Sequence, residues 1–455
     1  MSEEKVQQQK ISETIQEAGQ QPIQKQDVAS ALSKLSKSGG FNLIKRMLPD
    51  AERLDPQSKA TRNMFLKEQK FAEKREQLAD DIKKWLTLLE EDKSAHNLAD
   101  ICDQNQKKYQ ELFNRNIAVA LETIKDLETS YRTLDTFYKN TGEQKLDNLR
   151  IVNVDKFDLD DSNSEFIQEI DRLLKTSYDR LSLKDSYSLI AMPGYIFKNN
   201  TILKMWAELA KRYKTLLLSD HDDEMSYNDL IETIKDRNYS DSDSELQNVI
   251  LCCNWILGRN AEKLAGEEGG LYIPPSGALA GLLYDKSVPM AQGRAGKKYG
   301  TLREVAGVKL DLLVSEMKPI VDQNIVPMVF SEGRVMAFNN KTLFNGNPDA
   351  MQEYPIVRVY DWIKKVLIYF LHGKAFENWD VTVARKLETD IKEFLNANKG
   401  FGKLFEDYNV STPVQDKNTK TITIDIDIKP FFAAKEFTVK LKTVDDKNSC
   451  DIEEK

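Results

Sequence analysis

Residues Thr421 to Ile428 read T-I-T-I-D-I-D-I, a strict alternation with four isoleucines on one side and Thr or Asp on the other. A helix would scatter those isoleucines around its cylinder, whereas successive side chains of a strand point to opposite faces. Beyond Lys429-Pro430-Phe431-Phe432 the alternation resumes, with Phe437, Val439 and Leu441 against Thr438, Lys440 and Lys442. Two such runs about eight residues apart predict a β-hairpin. Its apolar face would carry Ile422, Ile424, Ile426 and Ile428 beside Phe437, Val439 and Leu441. A terminal hairpin with an apolar face and free edges must bury the one and pair or shield the other. The expectation is assembly through strands exchanged between subunits.

Composition narrows the classes. At 455 residues the chain can hold two or three domains. A net charge of -8 argues against nucleic acid as the main partner, because phosphate binding needs a basic field. No run approaches the roughly eighteen apolar residues of a membrane span. Met1 to Gln9 is polar and lacks the apolar core of a secretory signal. Cys102, Cys252, Cys253 and Cys450 have neither metal nor redox spacing, so disulfide scaffolding is not expected and the reading is cytoplasmic.

Along the chain the expected class is α/β, in five stretches. Residues 1–60 are rich in Gln, Ser and Lys and predict an arm that orders only on a partner. Within it, Asp27 can cap a short helix with Val28, Leu32 and Leu35 on one face, stopped by Gly39-Gly40. Such a helix is either incidental or a docking peptide. Residues 61–145 are helical: Met64, Phe71, Leu78 and Trp85 fall seven apart, and Leu112, Val119, Leu127 and Leu134 mark a second helix. A helical hairpin on its own domain is favoured over a coiled-coil dimer. Residues 146–265 alternate strands (149–154, 187–192, 215–218) with helices (202–213, 227–236, 245–257). Residues 266–408 begin Gly- and Pro-rich, return to strands near 308–314 and 325–338, and end in a helix system over 355–396. Residues 409–455 hold the linker, the hairpin and a polar tail.

Catalytic chemistry is sparse. His96, His221 and His372 are isolated. His221-Asp222-Asp223-Glu224 imitates a metal site but follows a strand in a polar stretch, where a solvated turn is the simpler reading. Gly293-Arg294-Ala295-Gly296-Lys297-Lys298 invites a phosphate-loop reading that fails: Ala291 sits where the first glycine is needed and Lys298 where Ser or Thr is needed. Arg294, Lys297 and Lys298 would face an acidic neighbour, or simply water. Gly277 and Gly281 allow close packing, and Cys252-Cys253 reads as core on an apolar helix face beside Trp255. No nucleophile, base and oxyanion site assembles, and no metal or cofactor is implied.

Tyr272-Ile273-Pro274-Pro275-Ser276-Gly277-Ala278-Leu279-Ala280-Gly281 resembles the PPSG-x-x-AG segment of contractile tail sheath proteins. Asn324 to Met328 and Gly333-Arg334-Val335 through Lys341-Thr342-Leu343 resemble the segment ending in their R-T-L motif. Pro355 to Val359 resembles the V-R-R entry, and Phe376-Glu377-Asn378-Trp379 resembles F-E-P-N. Lys341, Trp379 and the single Arg358 depart from the family pattern. The resemblance covers about the last 190 residues, and the order and spacing of the motifs carry it. With the long helical N-terminal region it is most similar to the large sheath subunit (TssC) of type VI secretion systems, in divergent form.

That resemblance implies a sheath-like core and a structural rather than enzymatic role. It implies pairing with a small subunit (TssB), self-association, an inner tube (Hcp) inside the sheath, a baseplate, and contraction that drives effector delivery. It also gives the Val28, Leu32, Leu35 helix a role, recruiting an AAA+ unfoldase (ClpV). Asn409 to Lys420 and the segment before about residue 60 are expected to act as hinges. Two alternatives stay open: a phage-tail or phage-derived injection-particle sheath, which polymerises alone, and an α/β enzyme with a site near the glycines at 266–300.

Overall fold

The computed structural model describes residues 65–454, apart from 91–94, 143–145, 147, 181–182, 184–185, 417, 435–438 and 446–447. The chain divides into two compact units, Met1–Asn116 and Ile117–Lys455. The first contains helix α1 (Ala72–Glu90) and the opening turns of α2 (Ala95–Asn140), as the seven-residue spacing predicts. Leu78 and Ile82 on α1 are exposed.

The second unit takes in the rest of α2 and is built around one sheet. Its elements are α3 (Lys156–Asp160), α4 (Glu165–Tyr178), β1 (Leu189–Met192), α5 (Asn200–Arg212), β2 (Leu216–Asp220), α6 (Tyr227–Arg237), β3 (Val249–Cys253), β4 (Ile256–Arg259), β5 (Leu271–Ile273), α7 (Ser276–Tyr284), α8 (Val314–Asp322), β6 (Val326–Ser331) and β7 (Arg334–Ala337). The helices start where the sequence supplies caps: Ser164, Asn199 and Ser226 accept from the backbone N–H of Ile167, Ile202 and Asp229. Strand order is β1-β2-β3-β6-β7. The first four run parallel, and β7 returns antiparallel through a turn at Gly333.

β2 and β3 are buried throughout. Their alternate residues feed two different cores. Leu217, Val249, Leu251 and Cys253 face Trp206, Leu203 and Ile234 of the α5–α6 layer. Leu216, Leu218, Ile250 and Cys252 face Leu279, Leu283 and Tyr354. A parallel strand covered on both faces reads as a continuous apolar run, and V-I-L-C-C is one.

Three sequence expectations change here, the first being the strand over 149–154, where the backbone belongs to no ladder among the described residues. Residues 245–257 are not a helix: a 3-10 turn gives way to β3, which ends at Asn254 with φ 65°. A short apolar run cannot be told from a buried helix by period alone. Asn254 fixes the break, donating to Leu310 O and Met328 O at 2.8 and 2.7 Å. Residues 308–314 are not a strand either, since Val308 makes a single bridge to Ile256 before α8 begins.

Helix α7 lies on the Ala278, Leu279 and Leu283 side of the sheet, with residues Ser276 to Leu283 all buried. Close packing requires its glycines: a Cβ on Gly277 would lie 2.5 Å from Thr133 Cγ2, and one on Gly281 would lie 2.3 Å from Phe137 O. A buried helix must also satisfy its end groups without water. Pro275 has no capping side chain, so Asp220 at the end of β2 supplies the acceptor. It takes the Ser276 N–H at 2.8 Å, the Ser276 hydroxyl at 2.5 Å and the Gly194 N–H at 2.9 Å. At the other end Arg294 donates to Leu282 O, Asp285 O and Val288 O, and Arg358 donates to Leu283 O. Arg294 is 1% exposed, so it is neither a solvated loop residue nor free to meet a neighbour. Cations at the C-terminus suit the helix dipole, as does Asp220 at the other end when it is ionised.

Gly281→Ala is expected to lower unfolding stability by about 1–3 kcal/mol, overpacking outweighing the better helix propensity; a urea titration reads it. Burial pushes the Asp220 carboxyl up to about 7, against the three donors that lower it. Folded Asp220 therefore holds its proton where the unfolded chain has lost it, and its contribution falls as pH rises from about 4 to about 7. In paired urea titrations the stability gap between wild type and Asp220→Asn should narrow across that window.

Candidate assembly surfaces

The C-terminal module starts with two helices, α9 (Tyr354–His372) and α10 (Val381–Asn398), the second capped by Asp380, which accepts from Thr382 N and Val383 N. Val359, Ile363, Leu387, Ile391 and Leu395 form their shared core with Phe405 and Val410. Against it lies a long β-hairpin. Its base pairs β8 (Asp407–Val410) with β11 (Ile426–Lys429), and its tip pairs β9 (Val414–Asp416) with β10 (Thr421–Thr423). A further hairpin follows, β12 (Val439–Asp445) with β13 (Asn448–Glu454).

Both alternating runs are thus strands, but not partners of one another. The isoleucine run folds back on residues 407–416, and the second run pairs with the tail. Alternation says which residues share a face and nothing about which neighbour they pair with. The turn signal lay upstream: Asp416 Oδ1 accepts from Asn418 N at 2.8 Å and Lys420 sits at φ 56°. Asn409 to Lys420, expected as a hinge, is accordingly strand and turn for most of its length.

The isoleucines divide between two settings. Ile424, Ile426 and Ile428 pack on the helical core of their own chain, and the Tyr360 hydroxyl donates to Ile428 O at 2.7 Å. Ile422 lies on the tip, 38% exposed, opposite the strand that carries Val414 at 66%. Between base and tip the ladder breaks: Ser411 N donates to Asp425 O, and Asp425 N donates to the Ser411 hydroxyl. Pro413 brings no N–H to continue it. Among the described residues the tip is a two-stranded ladder, so both of its outer edges are unpaired. Phe437 lies outside the described residues, as do Val28, Leu32 and Leu35. Val439 and Leu441 fall on β12. At the base, Lys399 and Lys429 pair with Asp407 and Glu406 at 2.6 and 2.7 Å, and the Lys399 ammonium holds the Asp407 carboxyl below the usual range. Exposed pairs of this kind add little stability.

A second open surface runs along α2. Thr133, Thr136 and Asn140 are buried, while Ile124, Leu127, Tyr131 and Tyr138 on the other side are exposed. Spacings of three, four and seven put these four on one stripe. The seven-residue count had marked Leu127 but not the aromatic pair.

The groups weighed for chemistry have structural employment. His221 is buried beside Tyr239, burial pushing its ring pKa down, while Asp222 pairs with Arg237 and Asp223 with Lys309. Cys252 and Cys253 are buried in β3. Lys297 pairs with Glu332. Among the described residues no helix is long and apolar enough to cross a membrane.

Comparison with known proteins gives three family matches. The type VI secretion system TssC/VipB central domain matches residues 119–345, the TssC/VipB-like C-terminal domain 353–454 and the TssC/VipB-like N-terminal region 28–117. A search of curated proteins returns no match. Among solved structures, the contracted helical sheath of the anti-feeding prophage is similar at 16% identity and a TM-score of 0.46, covering 70% of this chain and 82% of that one. The contracted PVC sheath complex of an extracellular contractile injection system is similar at 15% identity and a TM-score of 0.42, over 57% and 71%. The sheath tail protein of Desulfitobacterium hafniense is similar at 11% and 0.36, over 58% and 55%. The three family matches take in nearly the whole chain in order, and the chain belongs to the TssC/VipB family: a subunit of a contractile sheath, with a structural rather than an enzymatic role.

Proposed function

We propose that this chain polymerises with a small TssB-like subunit around an Hcp-like inner tube on a baseplate, and that contraction of the sheath drives effector delivery by type VI secretion. The observation that carries this reading is the C-terminal hairpin, whose base is anchored to its own helices while its tip, among the described residues, presents two unpaired edges. Such edges take strands from neighbours by β-augmentation. About five main-chain hydrogen bonds at roughly 0.5–1.5 kcal/mol each, with burial of Ile422 and Val414 at about 1.5–3 kcal/mol each, give a firm link. A contact that is head-to-tail and does not close generates a helical filament. The open stripe on α2 suits a partner helix. Recruitment of a ClpV-like unfoldase through Val28, Leu32 and Leu35 remains part of the proposal.

Electron microscopy of the chain expressed alone and with the small subunit tests it. Hollow striated tubes that need both chains are expected. Tubes from this chain alone would favour the phage-type sheath, and dispersed particles in both cases would refute the sheath reading. The division of the hairpin adds a sharper expectation. Ile422→Asp with Val414→Asp should leave the melting temperature of the isolated chain unchanged and abolish tubes. Ile424→Asp should instead destabilise the C-terminal module by about 1.5–3 kcal/mol, because that side chain packs on its own helices; calorimetry separates the two.

A further inference from the structure

The C-terminal module carries a fully exposed phenylalanine at one end and an apolar pocket at the other. Phe376, on the turn after α9, is 104% exposed and sits at φ 71°, a region that bulky L residues seldom enter. Its ring has no cover among the described residues, and Gly or Asn would suit the backbone better. The pocket, about 210 Å³ and open to solvent, is lined by Pro355, Ile356 and Val359 from the first turns of α9, by Phe405, and by Pro430 and Phe431. At about 1.5 Å per residue along α9, Val359 and His372 lie about 20 Å apart, so Phe376 is out of reach of the pocket on its own chain. Charge divides the same way. The turn 373–380 holds Lys374 against Glu377 and Asp380. Segments 286–298 and 399–407 reach the pocket through Ala291 and Phe405, and besides the buried Arg294 they hold Lys286, Lys297, Lys298, Lys399 and Lys403 against Glu406 and Asp407.

We infer that Phe376 of one copy seats in this pocket on the next copy of the chain, a knob-and-socket contact separate from the hairpin edges. It rests on the polymer read under Proposed function, in which identical chains meet through repeated contacts. A contact between two different patches of one chain that does not close builds a filament, and this chain carries both patches. A partner of other sequence would account for the knob or for the pocket. A second copy accounts for both at once, and it sets the acidic turn against the basic rim. Aromatic side chains that fill a pocket on the partner are also the usual anchors of a contact.

Cross-linking in assembled tubes is the test, with Ala375→Cys beside the knob and Ala291→Cys in the pocket, both added to a chain that carries Cys102→Ser and Cys450→Ser. A short bis-maleimide should give a ladder of dimers, trimers and longer multimers of this chain only when both new cysteines are present. Phe376→Asn removes the knob and keeps a residue that tolerates the conformation. It should leave the melting temperature of the free chain unchanged or raised, and increase the concentration needed for tubes by about tenfold or more. Tubes without a ladder overturn the inference and leave the sheath reading standing. So do cross-links from position 375 to the small subunit, products that stop at the dimer, or unchanged assembly by Phe376→Asn. Failure of the unsubstituted chain to form tubes with its partner overturns both.

Discussion

A helix with no wet side sets the terms for the rest of this unit. Ser276 to Leu283 are all buried, so every polar group at the two ends of α7 must be answered by protein. The N-terminal end draws in Asp220 from β2 and Gly194 from the loop after β1, and the C-terminal end draws in Arg294 and Arg358. Sheet, helix and the start of α9 are thereby tied through one set of charge-assisted contacts. Those contacts are costly to break singly, because each would leave a buried charge or carbonyl behind. The motif with Pro274-Pro275-Ser276-Gly277 and Gly281 then has a physical content. Proline leaves the cap to another strand, and the glycines let α2 approach to backbone distance.

How much of this was legible follows from the kind of signal each element carries. Amphipathic helices with capping residues, α5 and α6 above all, stand out because period and cap agree. β3 did not, because a strand buried on both faces loses its alternation and V-I-L-C-C suits a buried helix equally well. Arg294 looked like part of a charged surface loop, since its neighbours Lys297 and Lys298 are indeed charged; its carbonyl partners lie 6–12 residues away, where no local pattern points.

The C-terminal run shows the same limit. The isoleucine alternation correctly gave a strand and the residues that share a face. It could not say that Ile424, Ile426 and Ile428 already have a cover in α9 and α10, leaving Ile422 in the open. Cover is a long-range property, and only the fold supplies it. Conversely, Leu149–Val154 reads as a strand in the sequence, yet among the described residues its extended backbone joins no ladder.

The broken ladder at Ser411 and Asp425 gives the hairpin one more property. Base (β8 with β11) and tip (β9 with β10) are joined directly along the chain through residues 411–413 and 424–425, so a neighbour that grips the tip would also restrain the strands lying on α9 and α10. Occupancy of the tip and the folding equilibrium of that helical pair are then thermodynamically linked: binding only to the folded form raises its stability in proportion to the logarithm of neighbour concentration. A subunit at the end of a filament, with fewer neighbours, would hold its C-terminal helices less firmly than one in the middle.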